Sequence, residues 1–274
     1  MLSIVKMSRP GNILIALLTL VVGYAISGGN VSPAILIADL LAFAFAIAFG
    51  NVLNDIFDVS IDRISHPERP LPSGKISVSA AVFFCLVSFV FAFVPAAFQS
   101  VCPSFHVTFY AALFAALFLY DRFLKRIPLL KNITVAALCA TPLVRASFYP
   151  EANERPLFVA IGFAFLLTLV REILKDLEDM DGDRNSRIVT FPILAGKFPA
   201  QVLASSFLVL TFFCLPLPVF LSWLPGSFLL FVIPFFPFCL CIFRNTARGN
   251  FRKAQKQTKA AMLLGLIALI ASSL

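Results

Sequence analysis

Two trios of aspartates with the same spacing are the residues of this chain best suited to chemistry. They are Asp55, Asp58 and Asp62, and then Asp176, Asp179 and Asp183. Offsets of three and four residues place each trio on one stripe of a helix, where like charges repel unless something neutralises them. Hard divalent cations such as Mg²⁺ bind carboxylate oxygens and bridge them to phosphate groups. The spacing therefore predicts two acidic motifs that hold Mg²⁺ around an anionic ligand.

Basic side chains accompany both motifs. They are Arg9, Arg69, Lys125, Arg171 and Lys175. Such groups make charge-assisted hydrogen bonds to phosphate oxygens that metal ions leave uncovered. A diphosphate neutralised in this way is a good leaving group, and an allylic chain attached to it would ionise to a delocalised carbocation. Tyr120 ends an apolar segment just before Lys125; it could line an aromatic pocket for that cation or equally belong to an interfacial aromatic belt.

The composition identifies a membrane protein. Of 274 residues, 60% are hydrophobic and 13% are charged, whereas soluble domains have roughly 45–50% apolar and about 25% charged residues. With two histidines and no CxxC pair among six cysteines, a zinc or haem site is not expected. The net charge of +8 would suit nucleic acid, but the basic residues follow membrane topology instead, so no nucleic-acid partner is expected.

Nine apolar segments are long enough to span a bilayer. They are residues 11–28, 33–54, 77–97, 104–121, 129–149, 156–175, 200–221, 226–243 and 257–274. We therefore predict an all-α, polytopic bundle of about nine transmembrane helices that forms one domain over residues 1–274.

The basic residues alternate along the chain. All except Arg145 and Arg155 lie in the N-terminal segment or in and beside the loops that follow even-numbered spans. Cytoplasmic loops carry this excess of Lys and Arg. The N-terminus and both acidic motifs are therefore predicted on the cytoplasmic face of the cell membrane, and an odd number of spans places Leu274 outside.

The loop after each acidic motif indicates an internal repeat. The loops 69–75 and 190–197 both contain proline and then a Gly-Lys pair. The two copies are four spans apart, which gives them the same orientation in the membrane. The motifs could then face each other across a central cavity.

The motifs resemble those of the UbiA superfamily of intramembrane prenyltransferases. The matching stretches are Asn54-Asp55-x-x-Asp58-x-x-x-Asp62, the loop Arg69-Pro70-Leu71-Pro72-Ser73-Gly74, Arg171-Glu172-x-x-Lys175-Asp176-x-x-Asp179-x-x-x-Asp183, Arg9-Pro10-x-Asn12, and Tyr120 with Leu124-Lys125-Arg126. The resemblance covers nearly the whole chain in helix count and motif order.

The resemblance implies roles for these residues. Magnesium would be held by Asn54, Asp58, Asp62, Asp179 and Asp183, with Asp55 and Asp176 close by. The catalytic carboxylates would be Asp58, Asp62, Asp179 and Asp183. Substrate contacts would come from Arg9, Asn12, Arg69, Tyr120, Lys125, Arg171 and Lys175, of which Arg171 and Lys175 would contact phosphate.

Within the superfamily, the second motif is similar to that of the digeranylgeranylglyceryl phosphate synthase family. That resemblance implies transfer of a geranylgeranyl group from its diphosphate to the hydroxyl of geranylgeranylglyceryl phosphate, a lipid-phosphate acceptor, which makes the second ether bond of archaeal lipids. Two residues depart from the family pattern: Lys131 precedes Asn132 where glycine is common, and Arg145 lies in a region that is usually apolar.

Two other functions remain open at this point. An aromatic acceptor such as a quinone or haem-type precursor would keep the ionisation step and change the product. A secondary transporter would also contain repeats and intramembrane acids, although acids at helix ends on one side of the membrane disfavour it. The sequence specifies neither the number of metal ions nor the oligomeric state.

Overall fold

The computed structural model describes residues 2–29, 31–97, 103–149, 152–185 and 188–273. Every regular element in these ranges is a helix. A bilayer offers no water to backbone amides and carbonyls, and a helix satisfies those groups within one segment. The predicted all-α class is confirmed for the described residues.

The helices fall into two compact units. The first is Met1–Val21 with Asn30–Lys125, and the second is Val22–Gly29 with Arg126–Leu274. Each acidic motif lies within one unit: the first motif in the first, the second motif in the second. The single domain over residues 1–274 and the central cavity between the motifs stay predictions.

The first unit is organised around one long helix. Its elements are α1 (Leu2–Met7), most of α2 (Pro10–Ile26), α3 (Pro33–Phe57), α4 (Val59–Ser65), α5 (Val78–Ala97) and α6 (Pro103–Arg122). Helix α3 packs against both α5 and α6. The rings of Phe49, Phe89 and Phe114 join these three helices, with centroids 4.7 Å and 4.8 Å apart for the pairs that include Phe114. This packing fixes the helix that ends in the first motif.

The second unit is built in the same way around α8. Its elements are α7 (Leu130–Ser147), α8 (Glu154–Glu178), α9 (Met180–Asn185), α10 (Phe191–Ala195), α11 (Lys197–Cys214), α12 (Leu217–Phe220), α13 (Ser227–Val232), α14 (Phe235–Ala247) and α15 (Phe251–Ser273). Helix α8 packs against α7, α11 and α15. Its residues Val170, Ile173 and Leu177 lie in one buried cluster with Ala136 of α7 and Ala254 of α15. The helix that ends in the second motif is thereby held on three sides.

Six helical stretches in the described residues are long and apolar enough to cross a membrane. They are Pro33–Phe57, Val78–Pro95, Ser104–Arg126, Glu154–Glu178, Lys197–Phe220 and Ser227–Ala247. The other three predicted spans also coincide with helices, but α2 is shorter, with 17 residues. Polar residues lower the hydropathy of the other two: Lys131, Asn132 and Arg145 lie in α7, and four basic residues lie in the first half of α15. A multi-pass membrane protein is thus supported.

The finer parts of the topology stay predictions. One is that nine helices cross the membrane. The other is that the N-terminus and both motifs lie on the cytoplasmic side. Leu274, on which the prediction of an external C-terminus rests, lies outside the described residues.

A close approach of α2 to α7 in the second unit gives a prediction about stability. A Cβ on Gly23 would lie 2.9 Å from the Cβ of Ala146 and 3.6 Å from the backbone of Leu143. The contact with the Leu143 backbone is an ordinary one, but the Ala146 Cβ is too close and cannot move away by rotating a side chain. We expect Gly23→Ala to lower the free energy of unfolding by about 1–3 kcal/mol through overpacking, measured as a lower thermal midpoint in detergent.

The matched control is on the same helix. A Cβ on Gly11 would meet no atom within 4 Å, and alanine stabilises a helix interior by roughly 0.5–1 kcal/mol relative to glycine. Gly11→Ala should therefore leave the midpoint unchanged or raise it. Equal midpoints for the two variants would contradict the close packing at Gly23.

Candidate functional site

Both acidic motifs have the same backbone geometry. Helices α3 and α8 each contain 25 residues and end one residue before the middle aspartate of their motif. That aspartate has φ −95° and ψ 0° at Asp58, and φ −87° and ψ 0° at Asp179. A short helix, α4 or α9, follows in each case. Each trio thus extends over two helices, which corrects the expectation of one continuous helix.

Helical spacing nevertheless continues through both breaks. The backbone N–H of Asp58 donates to the carbonyl of Asn54 at 3.0 Å, and that of Asp62 donates to Asp58 at 2.8 Å. The corresponding distances in the second motif are 2.9 Å from Asp179 to Lys175 and 2.8 Å from Asp183 to Asp179. Because these hydrogen bonds keep the four-residue register, each trio remains on one side of its helix pair.

Two arginines neutralise the outer aspartates of the first motif. The Arg9 guanidinium donates to Asp55 Oδ1 at 2.7 Å. Arg69 donates from one nitrogen to both oxygens of Asp62, at 2.8 Å and 2.7 Å. Both aspartates are buried, whereas the arginines are more than one-third exposed. The predicted phosphate-binding arginines therefore lie directly beside the predicted metal-binding carboxylates.

Buried apolar residues hold these arginines in place. Met7, at the end of α1, and Leu71, in the loop after Arg69, lie in one buried cluster with Val52 of α3. The Asn51 amide also donates to the carbonyl of Ser8 at 2.8 Å. The segments on either side of α3 are thus attached to the helix that carries the acids.

The middle aspartate of the first motif is paired with a lysine. Lys125 Nζ donates to Asp58 Oδ1 at 2.7 Å and lies 3.4 Å from Asp121 Oδ1. The same oxygen of Asp121 accepts the Asn54 amide at 2.8 Å. Asp121 is 1% exposed, and the sequence interpretation did not assign it a role. The only available signal was an acid one helical turn before Lys125.

Asn12 and Tyr120 are less closely tied to the first motif. Asn12 is exposed at the start of α2 and donates its backbone N–H to the carbonyl of Arg9 at 2.8 Å. Tyr120 is half-buried near the end of α6. Their contacts with substrate stay predictions.

In the second motif, α7 supplies the partners of the first aspartate. Lys131 Nζ lies 2.7 Å from Asp176 Oδ1. The Asn132 amide donates to Asp176 Oδ2 at 2.9 Å. Asp176 and Asn132 are both buried. Lys131, which departs from the family pattern, is thus an ion-pair partner of the motif, and Asn132 is a site residue that the sequence interpretation did not assign.

The remaining carboxylates of the second motif have no ion-pair partner in the described part of the chain. Asp179 is exposed and Asp183 is half-buried. Burial, helped by the neighbouring Asp176 and Asp179, raises the pKa of Asp183 to about 6, even though Lys131 and Lys175 act to lower it. The folded chain therefore disfavours the negative charge here. A bound cation would reverse that preference.

The predicted phosphate-binding residues of the second motif lie one turn apart on α8. Arg171 donates to the carboxylate of its neighbour Glu172, and Lys175 is exposed beside Asp179. In the described residues, neither Arg171 nor Lys175 pairs with an aspartate of the motif. The Lys175 charge is available to an incoming anion, whereas Arg171 would have to leave Glu172 to bind one.

The donor atoms fit a hard cation, but no cage is preformed. In the described ranges, no three Asp, Glu, His or Cys side chains converge as metal ligands. Basic side chains instead form ion pairs with Asp55, Asp58, Asp62 and Asp176. No described residue donates a hydrogen bond to the buried Asn132 Oδ1, which leaves an oxygen suited to Mg²⁺.

Comparisons with known proteins identify the family of this chain. The profile of the UbiA prenyltransferase family matches residues 16–268. The digeranylgeranylglyceryl phosphate synthase of Methanopyrus kandleri is 34% identical over 273 residues, which cover 98% of each chain. That of Methanosarcina mazei is 36% identical over 227 residues, 81% of this chain and 76% of the relative.

Solved structures agree as well. One solved structure, which concerns digeranylgeranylglyceryl phosphate synthase in membranes, is 26% identical in sequence. Its TM-score is 0.83, and the match covers 99% of this chain and 97% of that one. A UbiA homologue of Archaeoglobus fulgidus bound to GPP and Mg²⁺ shares the fold, with a TM-score of 0.63 and 17% identity over 98% and 99% of the two chains. From the family match over most of its length, this chain belongs to the UbiA prenyltransferase family.

Proposed function

We propose that this chain transfers a geranylgeranyl group from geranylgeranyl diphosphate to the hydroxyl of geranylgeranylglyceryl phosphate. The reaction forms the second ether bond of the lipid and releases diphosphate. The observation that carries the proposal is the pair of acidic motifs with matching backbone geometry, in a chain whose relatives over nearly full length are digeranylgeranylglyceryl phosphate synthases. The basic loops support a site on the cytoplasmic side of the membrane.

Magnesium would be held by oxygens of both motifs. We assign Asn54, Asp58, Asp62, Asp179 and Asp183 as ligands, with Asp55 and Asp176 close by. When bound, Mg²⁺ supplies positive charge that stabilises the departing diphosphate. The Archaeoglobus fulgidus homologue, solved with GPP and Mg²⁺, supports this choice of metal.

The basic residues of the first motif would exchange partners as substrate binds. Arg9, Arg69 and Lys125 now neutralise aspartates at 2.7–2.8 Å. Once those carboxylates bind metal, the three cations are free to bind the diphosphate. The guanidinium fork of Arg69 can pair with two phosphate oxygens. Arg171 and Lys175 would contact the same diphosphate from the second motif.

Asp121 would position two of these groups. Asp121 accepts a hydrogen bond from the amide nitrogen of Asn54. The amide oxygen of Asn54 therefore remains available to metal. Because Asp121 also lies 3.4 Å from Lys125 Nζ, it retains that ammonium near the site when Asp58 changes partner. Asp121 would thereby be a positioning residue for the first motif.

In the transfer step, the bond between the allylic carbon and the diphosphate oxygen breaks, and its electron pair leaves with the diphosphate. The hydroxyl oxygen of the acceptor then attacks the allylic carbon, and its proton passes to the released diphosphate as the ether forms. Exclusion of water protects the carbocation. The isoprenoid chain would lie among the apolar helices of the bundle.

The product formed by the purified chain tests this proposal. Labelled geranylgeranyl diphosphate and Mg²⁺ are supplied in liposomes with geranylgeranylglyceryl phosphate, with an aromatic acid, or with no acceptor. We expect a labelled diether phosphate with the first acceptor alone, and diphosphate release that requires both Mg²⁺ and that acceptor. A prenylated aromatic product would establish the other acceptor class, and cation flux without diphosphate release would establish a transporter.

A further inference from the structure

An unpaired oxygen in the second unit indicates one more ligand. Asn132 lies in α7, is 1% exposed, and donates its Nδ2 to Asp176 Oδ2 at 2.9 Å. A carboxylate only accepts hydrogen bonds, so the amide must turn its nitrogen towards Asp176 and its oxygen away. That oxygen is buried and accepts no hydrogen bond in the described residues. A buried carbonyl oxygen without a partner is unfavourable, so a group that binds it is expected.

The first motif contains the same arrangement, but there the amide belongs to a residue of the motif itself. The Asn54 amide donates to the buried Asp121 at 2.8 Å, and no hydrogen bond to its oxygen exists among the described residues. Lys175 stands in the second motif at the place that Asn54 holds in the first. The second motif therefore lacks an amide oxygen in its own sequence.

Asn132 is positioned to replace it. Helix α7 packs against α8, and Ala136, one turn after Asn132, lies in the same buried cluster as Ile173 and Leu177 of α8. Both Asp176 oxygens are engaged, one by Asn132 and the other by Lys131 at 2.7 Å. The amide is thus held from the nitrogen side, and no described residue donates a hydrogen bond to its oxygen. Amide oxygens are accepted ligands of hard divalent cations.

We propose that Asn132 Oδ1 is a ligand of the divalent cation at the second acidic motif, in place of the asparagine that the second motif lacks. The inference rests on the proposed function, because it assumes that this motif binds metal. It makes α7 part of the metal site.

Mn²⁺ binding tests the inference without the prenyl reaction. The full-length chain in detergent is titrated with Mn²⁺ in the presence of inorganic diphosphate, and free Mn²⁺ is measured by electron paramagnetic resonance. We expect Asn132→Leu, which keeps the shape and removes the oxygen, to raise the dissociation constant at least about 10- to 100-fold, the loss seen even for residues that only support a ligand. Asn132→Asp supplies an oxygen and should bind Mn²⁺ at least as tightly as the unmodified chain.

Asn245→Leu is the matched control. It removes an amide that donates to Gln257 at 2.8 Å, between α14 and α15, and it should leave Mn²⁺ affinity unchanged. Weak binding by both Asn132 variants, or affinity equal to the unmodified chain in Asn132→Leu, would overturn the ligand assignment. No binding by the unmodified chain would instead overturn the metal-dependent function itself. Should Asn132→Leu fail to fold, weak binding by a folded Asn132→Asp would still overturn the assignment.

Discussion

Alanine in place of Asp58 or Asp179 should abolish prenyl transfer, with kcat reduced by about 10³-fold or more. Each residue is the middle aspartate of its motif and lies at the point where the long helix ends. In the proposed mechanism, losing it removes a metal ligand, and the developing charge on diphosphate then loses its main electrostatic stabilisation. The rate is measured from labelled diphosphate substrate and acceptor at saturating Mg²⁺.

Neither substitution should unfold the chain. Asp179 is exposed, and the Asp58 side chain is 23% exposed. In Asp58→Ala, Lys125 retains Asp121 as a partner at 3.4 Å. We therefore expect thermal midpoints close to that of the unmodified chain, so that the loss of rate is assigned to the site.

Asp181→Ala is the control for loss of a negative charge near the second motif. Asp181 is exposed on α9 and lies outside the three-and-four spacing of the trio. Its kcat should stay within about twofold of the unmodified value, because an exposed charge contributes little at a distance in salt. Near-normal activity in both Asp58→Ala and Asp179→Ala would end the two-motif mechanism.

The local part of the site could be predicted from sequence because helical geometry is local. Offsets of three and four residues fix the relative directions of Asp55, Asp58 and Asp62 whatever the rest of the fold does. Arg69 comes only seven residues after Asp62, and a short turn brings them into contact. The presence of acidic and basic residues together at each motif was therefore predictable, but their pairing with one another was not.

The partners from other helices could not be predicted from spacing. Asn54 and Asp121 are 67 residues apart, and Asn132 and Asp176 are 44 apart. Such contacts depend on which faces of α3 and α6, or of α7 and α8, pack together. A single sequence with an apolar residue on nearly every face does not specify those faces. The helix breaks at Asp58 and Asp179 were also unpredicted, because no proline or glycine marks them.

Magnesium and diphosphate should bind to this chain together rather than independently. Arg9, Arg69 and Lys125 neutralise the three aspartates of the first motif. A cation that binds alone to the first motif must displace these groups, and a partly buried charge that loses its partner is costly. Diphosphate gives the displaced cations a new anion. We expect diphosphate to tighten Mg²⁺ binding about 10- to 100-fold, and Mg²⁺ to tighten diphosphate binding by the same factor.

Calorimetric titration of each ligand in the absence and presence of the other measures this coupling. Arg69→Gln is the informative variant, because it removes the group that would compete with the proposed metal at Asp62. It should bind Mg²⁺ alone more tightly than the unmodified chain, bind diphosphate more weakly, and show less coupling. Arg63→Gln, which removes an exposed charge from α4, should change none of these values. Weaker binding of Mg²⁺ alone by Arg69→Gln would contradict the exchange of partners, since it would mean that Arg69 supports the metal site rather than competing for it.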